Sequence, residues 1–220
     1  MMYTKDFYAK KNKKNCLIIK LLPFFIFLSF PLNAHTFTGM VGFYDGLSHP
    51  VLGLDHFLAM VSVGIISAQI GGRAIWTVPS VFVSLMLIGG MLGMIIEINS
   101  LDTETIFSSN ITLVIELGII FSVILLGLAI AIQKSFSINI IMIFVSLFGL
   151  CHGLAHGMEI PWAANPILFA LGFSFGTATL HLFGVGIGLV SFKSNLSNIL
   201  LRFTGTCFAI YGVYLLIPLN

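Results

Sequence analysis

Of 220 residues, 58% are hydrophobic and only 8% charged, too few charges to cover a globular surface of this size, so a water-soluble fold is excluded and lipid is the fitting solvent. The formal net charge of +2 hides an asymmetry: Lys5, Lys10, Lys11, Lys13, Lys14 and Lys20, opposed by Asp6, give the first twenty residues +5, while four basic and seven acidic residues leave positions 35–220 at −3. The basic excess is therefore a targeting feature, and nucleic acid is excluded as a partner.

Residues 1–34 read as a signal peptide. A Lys-rich segment precedes an apolar run from Leu21 to Leu32 that is short for a span and broken by Pro23 and Pro31; Leu32-Asn33-Ala34 then offers a small residue for cleavage. The alternative is an uncleaved anchor helix. Cleavage after Ala34 makes His35 the first mature residue, where an α-amine beside an imidazole suits cation capture at the membrane surface. Cys151 and Cys207 fall in apolar stretches, and two thiols give no disulfide framework.

Beyond the signal, residues 35–220 read as one all-α membrane domain of six transmembrane helices with short connecting loops. Apolar windows long enough to cross the hydrocarbon core lie at roughly 50–70, 75–98, 111–133, 137–158, 166–192 and 199–218. With the mature N-terminus outside, Arg73, Lys134, Lys193 and Arg202 all fall on the cytoplasmic side, as the positive-inside rule asks, while Asp45, Asp102, Glu104 and Glu159 fall outside. The expected location is a bacterial inner (plasma) membrane, with both mature termini periplasmic. Gly149, Gly153 and Gly157 on the fourth span, and Gly172 and Gly176 on the fifth, recur every four residues and are expected to serve close helix packing.

Ionisable residues inside apolar spans are costly and mark interior sites or pathways. One group, His49-Pro-Val-Leu-Gly-Leu-Asp55-His56, stands at the outer end of span one. Pro50 suits a first helical turn, which places His49 at the cap, and a regular helix puts His49 and His56 on one face. Asp55 either binds a metal directly or orients an imidazole. The second group, His152-Gly-Leu-Ala-His156-Gly-Met-Glu159, ends span four. Positions i, i+4 and i+7 share an arc of about 60°. Span one runs inward and span four outward, so both groups reach the same depth and together make a nitrogen and oxygen site for a divalent cation. Glu97 and Glu116 either add charge nearby or lie at headgroup level. His181, midway through span five near Ser174, Thr177 and Thr179, is either a second stop on a pathway or an interhelical hydrogen-bonding group. Met60, one turn from His56, is a soft contact or packing.

The two histidine blocks resemble the signatures of the HupE/UreJ family of nickel/cobalt permeases, and the likeness extends over the mature chain in length, span number and motif placement. The resemblance implies uptake of Ni²⁺ or Co²⁺ with His49, Asp55, His56, His152, His156 and Glu159 as the residues transport needs. Cys151 departs from the expected Phe before the first histidine of the second block, and a thiolate there would soften the site. No Gly-x4-Gly-Lys-[Ser/Thr] sequence is present, so ATP hydrolysis is not expected of this chain. No permanent cofactor and no catalytic residue is expected; the partners are the metal ion and the lipid bilayer, and a homo-oligomer is left open. Two rivals remain at this stage, an intramembrane zinc hydrolase and, behind it, a haem-binding electron carrier.

Overall fold

The computed structural model describes residues 42–100, 106–132, 136–160 and 164–217. The expected signal peptide, His35 and Lys134 lie outside the described residues. Among them are seven helices and no strand: α1 (Phe43–Leu52), α2 (Leu54–Ile70), α3 (Ala74–Ser100), α4 (Ile106–Ile132), α5 (Ile138–Met158), α6 (Pro166–Ser191) and α7 (Asn195–Leu215). Helices α3 to α7 are each long and apolar enough to cross a bilayer, and α1 with α2 meets that test only as a pair.

That pair corrects the expected first span. It is not one helix beginning near Pro50: α1 ends with Pro50 in its last turn, and the chain bends by 85° before α2. Pro50 supplies no N–H to the helical ladder, and Gly53 leaves the helical region at φ −83°, ψ 112°. A side chain at Gly53 has no room, since a Cβ there would lie 2.9 Å from His56 Nδ1 and 3.2 Å from Asp55 Oδ1. His49 and His56 therefore sit on two helices, and the bend, not a shared helical face, brings them together.

Glycine faces set the other approaches. Gly149, Gly153 and Gly157 of α5 meet the backbone of Phe82, Met86 and Gly90 on α3, and Gly172 and Gly176 of α6 meet that of Phe43 and Leu47 on α1. With no Cβ at these positions the helix backbones touch directly, the packing role read from the sequence. Helix α1 lies along the first half of α6 and α2 along the second, where Gly64 and Gly184 make the contact. Helix α4 pairs with α7 through Gly127 and Gly205.

Local signals fix several ends. Asn165 Oδ1 accepts from the Ile167 and Leu168 amides at 3.0 and 3.2 Å, ahead of Pro166 in the first turn of α6. Ser194 Oγ accepts from the Ser197 amide at 3.1 Å to start α7. Arg202 Nε donates to Ala131 O at 2.8 Å, capping a carbonyl in the last turn of α4 with a cation. Arg73, Lys193 and Arg202 stand at the end of the bundle where α2 and α6 finish, and the histidine blocks stand at the opposite end.

Candidate metal site

Where α1 turns into α2 and α5 ends, four imidazoles meet. The ring centroids of His49 and His156 are 4.5 Å apart, those of His156 and His56 4.4 Å, and those of His56 and His152 5.1 Å. Phe173 closes one side with its ring 4.3 Å from that of His156, and Phe169 lies 5.9 Å from His49. His152 and His156 are 0% and 2% exposed, deep for side chains of this polarity.

The hydrogen bonds orient the rings. Asp55 Oδ1 lies 2.9 Å from His56 Nδ1, so the carboxylate holds that nitrogen and His56 Nε2 is left for another partner. His152 Nδ1 donates to Phe148 O at 2.8 Å, one turn back along α5, which likewise leaves Nε2 as the nitrogen with a lone pair. His56 Nε2, His152 Nε2 and both nitrogens of His156 are buried and without a hydrogen-bond partner among the described residues. A buried polar atom left unsatisfied costs about 1–3 kcal/mol, so a bundle that needed only packing would not gather them at one point.

Glu159, at the C-cap of α5, completes the arrangement. Its Oε2 lies 3.7 Å from His156 Nδ1 and 3.6 Å from His49 Nε2. The two imidazoles, His156 foremost, hold the Glu159 carboxyl below the usual carboxylate range despite partial burial. Ligand atoms of His49, His156 and Glu159 all lie within 4.8 Å of one another, a spacing that one metal ion can span. The donor set is imidazole and carboxylate with no sulfur, suited to a borderline divalent transition metal.

A cavity of about 440 Å³ adjoins the cluster, bordered by Asp55, His56, Glu97, Glu116 and Glu159 from α2, α3, α4 and the end of α5. Asp55, Glu97, Glu116 and Glu159 thus place four carboxyl groups on this space beside the imidazoles, among apolar side chains such as Ile115 and Ile119.

The sequence profile described as HupE / UreJ protein matches residues 24–215. The chain belongs to the HupE/UreJ family. Protein HupE of Rhizobium leguminosarum bv. viciae is 35% identical over 192 residues, which cover 86% of this chain and 93% of that relative. No solved structure matches.

For this HupE/UreJ chain, the structure brings together His49, Asp55, His56, His152, His156 and Glu159, and sets Glu97 and Glu116 on the adjoining cavity. Asp55 takes the orienting position at His56. Met60 is fully buried in the apolar core. Cys151 is not among the converging groups: its sulfur faces α4, 2.7 Å from where a Cβ on Gly118 would stand. One residue before His152 on a helix points about 100° away from it, which is why the thiol misses the cluster. His181 is 1% exposed and lies beyond Phe82, whose ring is 5.0 Å away. The reading from sequence missed Gly53 and Phe82, neither of which carries a chemical signal of its own.

Proposed function

We propose that this chain is a permease that carries a divalent transition metal, Ni²⁺ or Co²⁺, across a bacterial inner membrane into the cell. The observation that carries the proposal is the meeting of four imidazoles from α1, α2 and α5, three of which, His56, His152 and His156, have buried ring nitrogens without a hydrogen-bond partner among the described residues. Membership of the HupE/UreJ family, and the transport that the two histidine blocks imply by resemblance, support the same reading. In the proposed orientation the basic end of the bundle is cytoplasmic and the histidine end periplasmic.

The acidic cavity collects a hydrated dication, and His49, His56, His152, His156 and Glu159 replace its water. Asp55 acts through His56. A negative-inside potential is a sufficient drive: a dication crossing 100 mV gains about twice 2.3 kcal/mol, enough for more than a thousandfold gradient. A zinc hydrolase would keep an open position for water at its metal and have no polar residues deeper in, whereas the ring file continues past His152 toward His181. Haem ligation is disfavoured because the facing imidazoles touch one another and leave no room between them for a macrocycle. The test is uptake of radioactive Ni²⁺ by cells expressing the chain, with Co²⁺ and Zn²⁺ in competition. Accumulation above vector-only cells, suppressed by Co²⁺, is expected; accumulation no different from the control removes the permease reading.

A further inference from the structure

The rings do not stop at His152. Centroid spacings run 4.5 Å from His49 to His156, 4.4 Å on to His56, 5.1 Å to His152, 5.4 Å to Phe82 and 5.0 Å to His181. Five imidazoles thus lie in one file that a single phenyl interrupts. His181 is fully buried, and neither of its ring nitrogens has a hydrogen-bond partner among the described residues. A histidine placed for helix association would bond across to a neighbouring helix or to a carbonyl, as His152 does to Phe148.

The surroundings of His181 supply further donors. Helices α3 and α6 run antiparallel here, so Phe82 faces His181 and, one turn along each helix, Met86 faces Thr177. Thr177 Oγ1 lies 3.7 Å from Met86 Sδ, and both side chains are fully buried. An imidazole, a hydroxyl and a thioether are therefore gathered within two helical turns, with the Phe82 ring between that imidazole and His152. A thioether adds nothing for a hard cation such as Mg²⁺ but suits a late first-row transition metal.

We propose that His181, with Thr177 and Met86 one turn along their helices, is a second station for the transported divalent metal, its imidazole separated from His152 by the Phe82 ring. The proposal rests on the permease reading and deepens it. Phe82 has no lone pair to offer, so an ion leaving His152 gives up one set of ligands before completing the next. Passage between the stations is then a discrete step, and splitting the ligands over two moderate sites avoids one deep trap from which the ion could not leave.

The experiment is equilibrium dialysis of Ni²⁺ against the purified full-length protein in detergent, for wild type, His181→Ala and His56→Ala. At the Ni²⁺ concentration that just saturates wild type with two ions per chain, one ion is expected for each variant. One ion in wild type, or two in His181→Ala, overturns the second station while leaving the first intact. An unchanged stoichiometry in His56→Ala instead removes the first site, and the permease reading with it, whatever His181→Ala shows. Should His181→Ala not purify folded, Met86→Leu replaces it, since this near-isosteric change keeps the packing. It is expected to weaken the second ion about tenfold, the lower range for loss of a supporting metal contact, and unchanged affinity for that ion overturns the proposal.

Discussion

The α4–α7 pair and the α2–α5–α6 group both carry polar side chains within apolar helices, and the hydroxyls of the first are held unlike the imidazoles of the second. In the first, Ser122 Oγ donates to Ile119 O at 2.6 Å, Thr204 Oγ1 to Leu200 O at 2.9 Å and Thr206 Oγ1 to Arg202 O at 3.1 Å. Each hydroxyl is satisfied by its own helix, so the pair is self-contained in lipid. In the second, imidazoles of His56, His152 and His156 converge, His181 lies beyond Phe82, and each of the four has a buried ring nitrogen without a hydrogen-bond partner among the described residues. Polarity alone therefore does not mark a site in a membrane helix; what marks it is a polar group that its own helix does not satisfy.

The sharpest way to break that contrast is to remove one imidazole from the second group. His152→Ala is expected to abolish Ni²⁺ uptake and weaken equilibrium binding by at least about 10- to 100-fold, the range typical of lesser losses around a metal, while membrane abundance is unchanged. Uptake at the wild-type rate would mean that the imidazoles are only packed.

Gly53→Ala comes next in size. The new Cβ would lie 2.9 Å from His56 Nδ1 and 3.2 Å from Asp55 Oδ1, so it displaces the carboxylate–imidazole pair while every ligand residue is kept. A loss of binding on the order of tenfold is expected, as for disturbance of a supporting partner. Binding assays on purified protein check this, and full affinity would show that the bend tolerates a side chain.

These two positions also show what the sequence makes legible. The spacing of His152, His156 and Glu159 on one helix was readable because a single period governs all three. The topology argument, inward first span and outward fourth, was enough to bring the two blocks to one end. The bend was not readable: Pro50 suits a first turn as well as a last one, and only the packing of α1 along α6 decides between them. Glu97 and Glu116 carried two equal readings because a carboxylate near a helix end lies either at a headgroup or in a cavity, and helix–helix arrangement settles which. Phe82 was indistinguishable from any core aromatic until its neighbours on α5 and α6 were in place.

Glu159 sharpens the comparison by degree, since its side chain is 60% exposed and solvent screens it. Glu159→Gln is expected to lower affinity only several-fold. Because its folded pKa is depressed, the carboxylate's contribution persists as pH falls through the ordinary carboxylate range and is lost only at still lower pH. The carboxylate therefore stays ionised through this range, and Glu159→Gln is expected to keep the wild-type acid limb above about pH 5. Titrations of Ni²⁺ affinity against pH for both proteins test this, and an acid limb shifted by the substitution would contradict it.

The smallest effects are expected outside the cluster. Cys151→Ser and Ser122→Ala should each leave uptake within about twofold of wild type, since one side chain faces Gly118 and the other bonds its own helix. For Cys151→Ser the ranking of competing metals should also be unchanged. A reordered ranking would bring the sulfur into the site.

The central claim, that imidazoles from α1, α2 and α5 hold one ion together, is tested most directly by X-ray absorption spectroscopy. The sample is the purified His181→Ala protein with one equivalent of Ni²⁺, so that the four-histidine cluster alone is loaded. The account predicts a nitrogen and oxygen ligand shell with the multiple-scattering signature of several imidazoles, reduced when His56 or His152 is also replaced. A shell containing sulfur, or one without imidazole scattering, would contradict it.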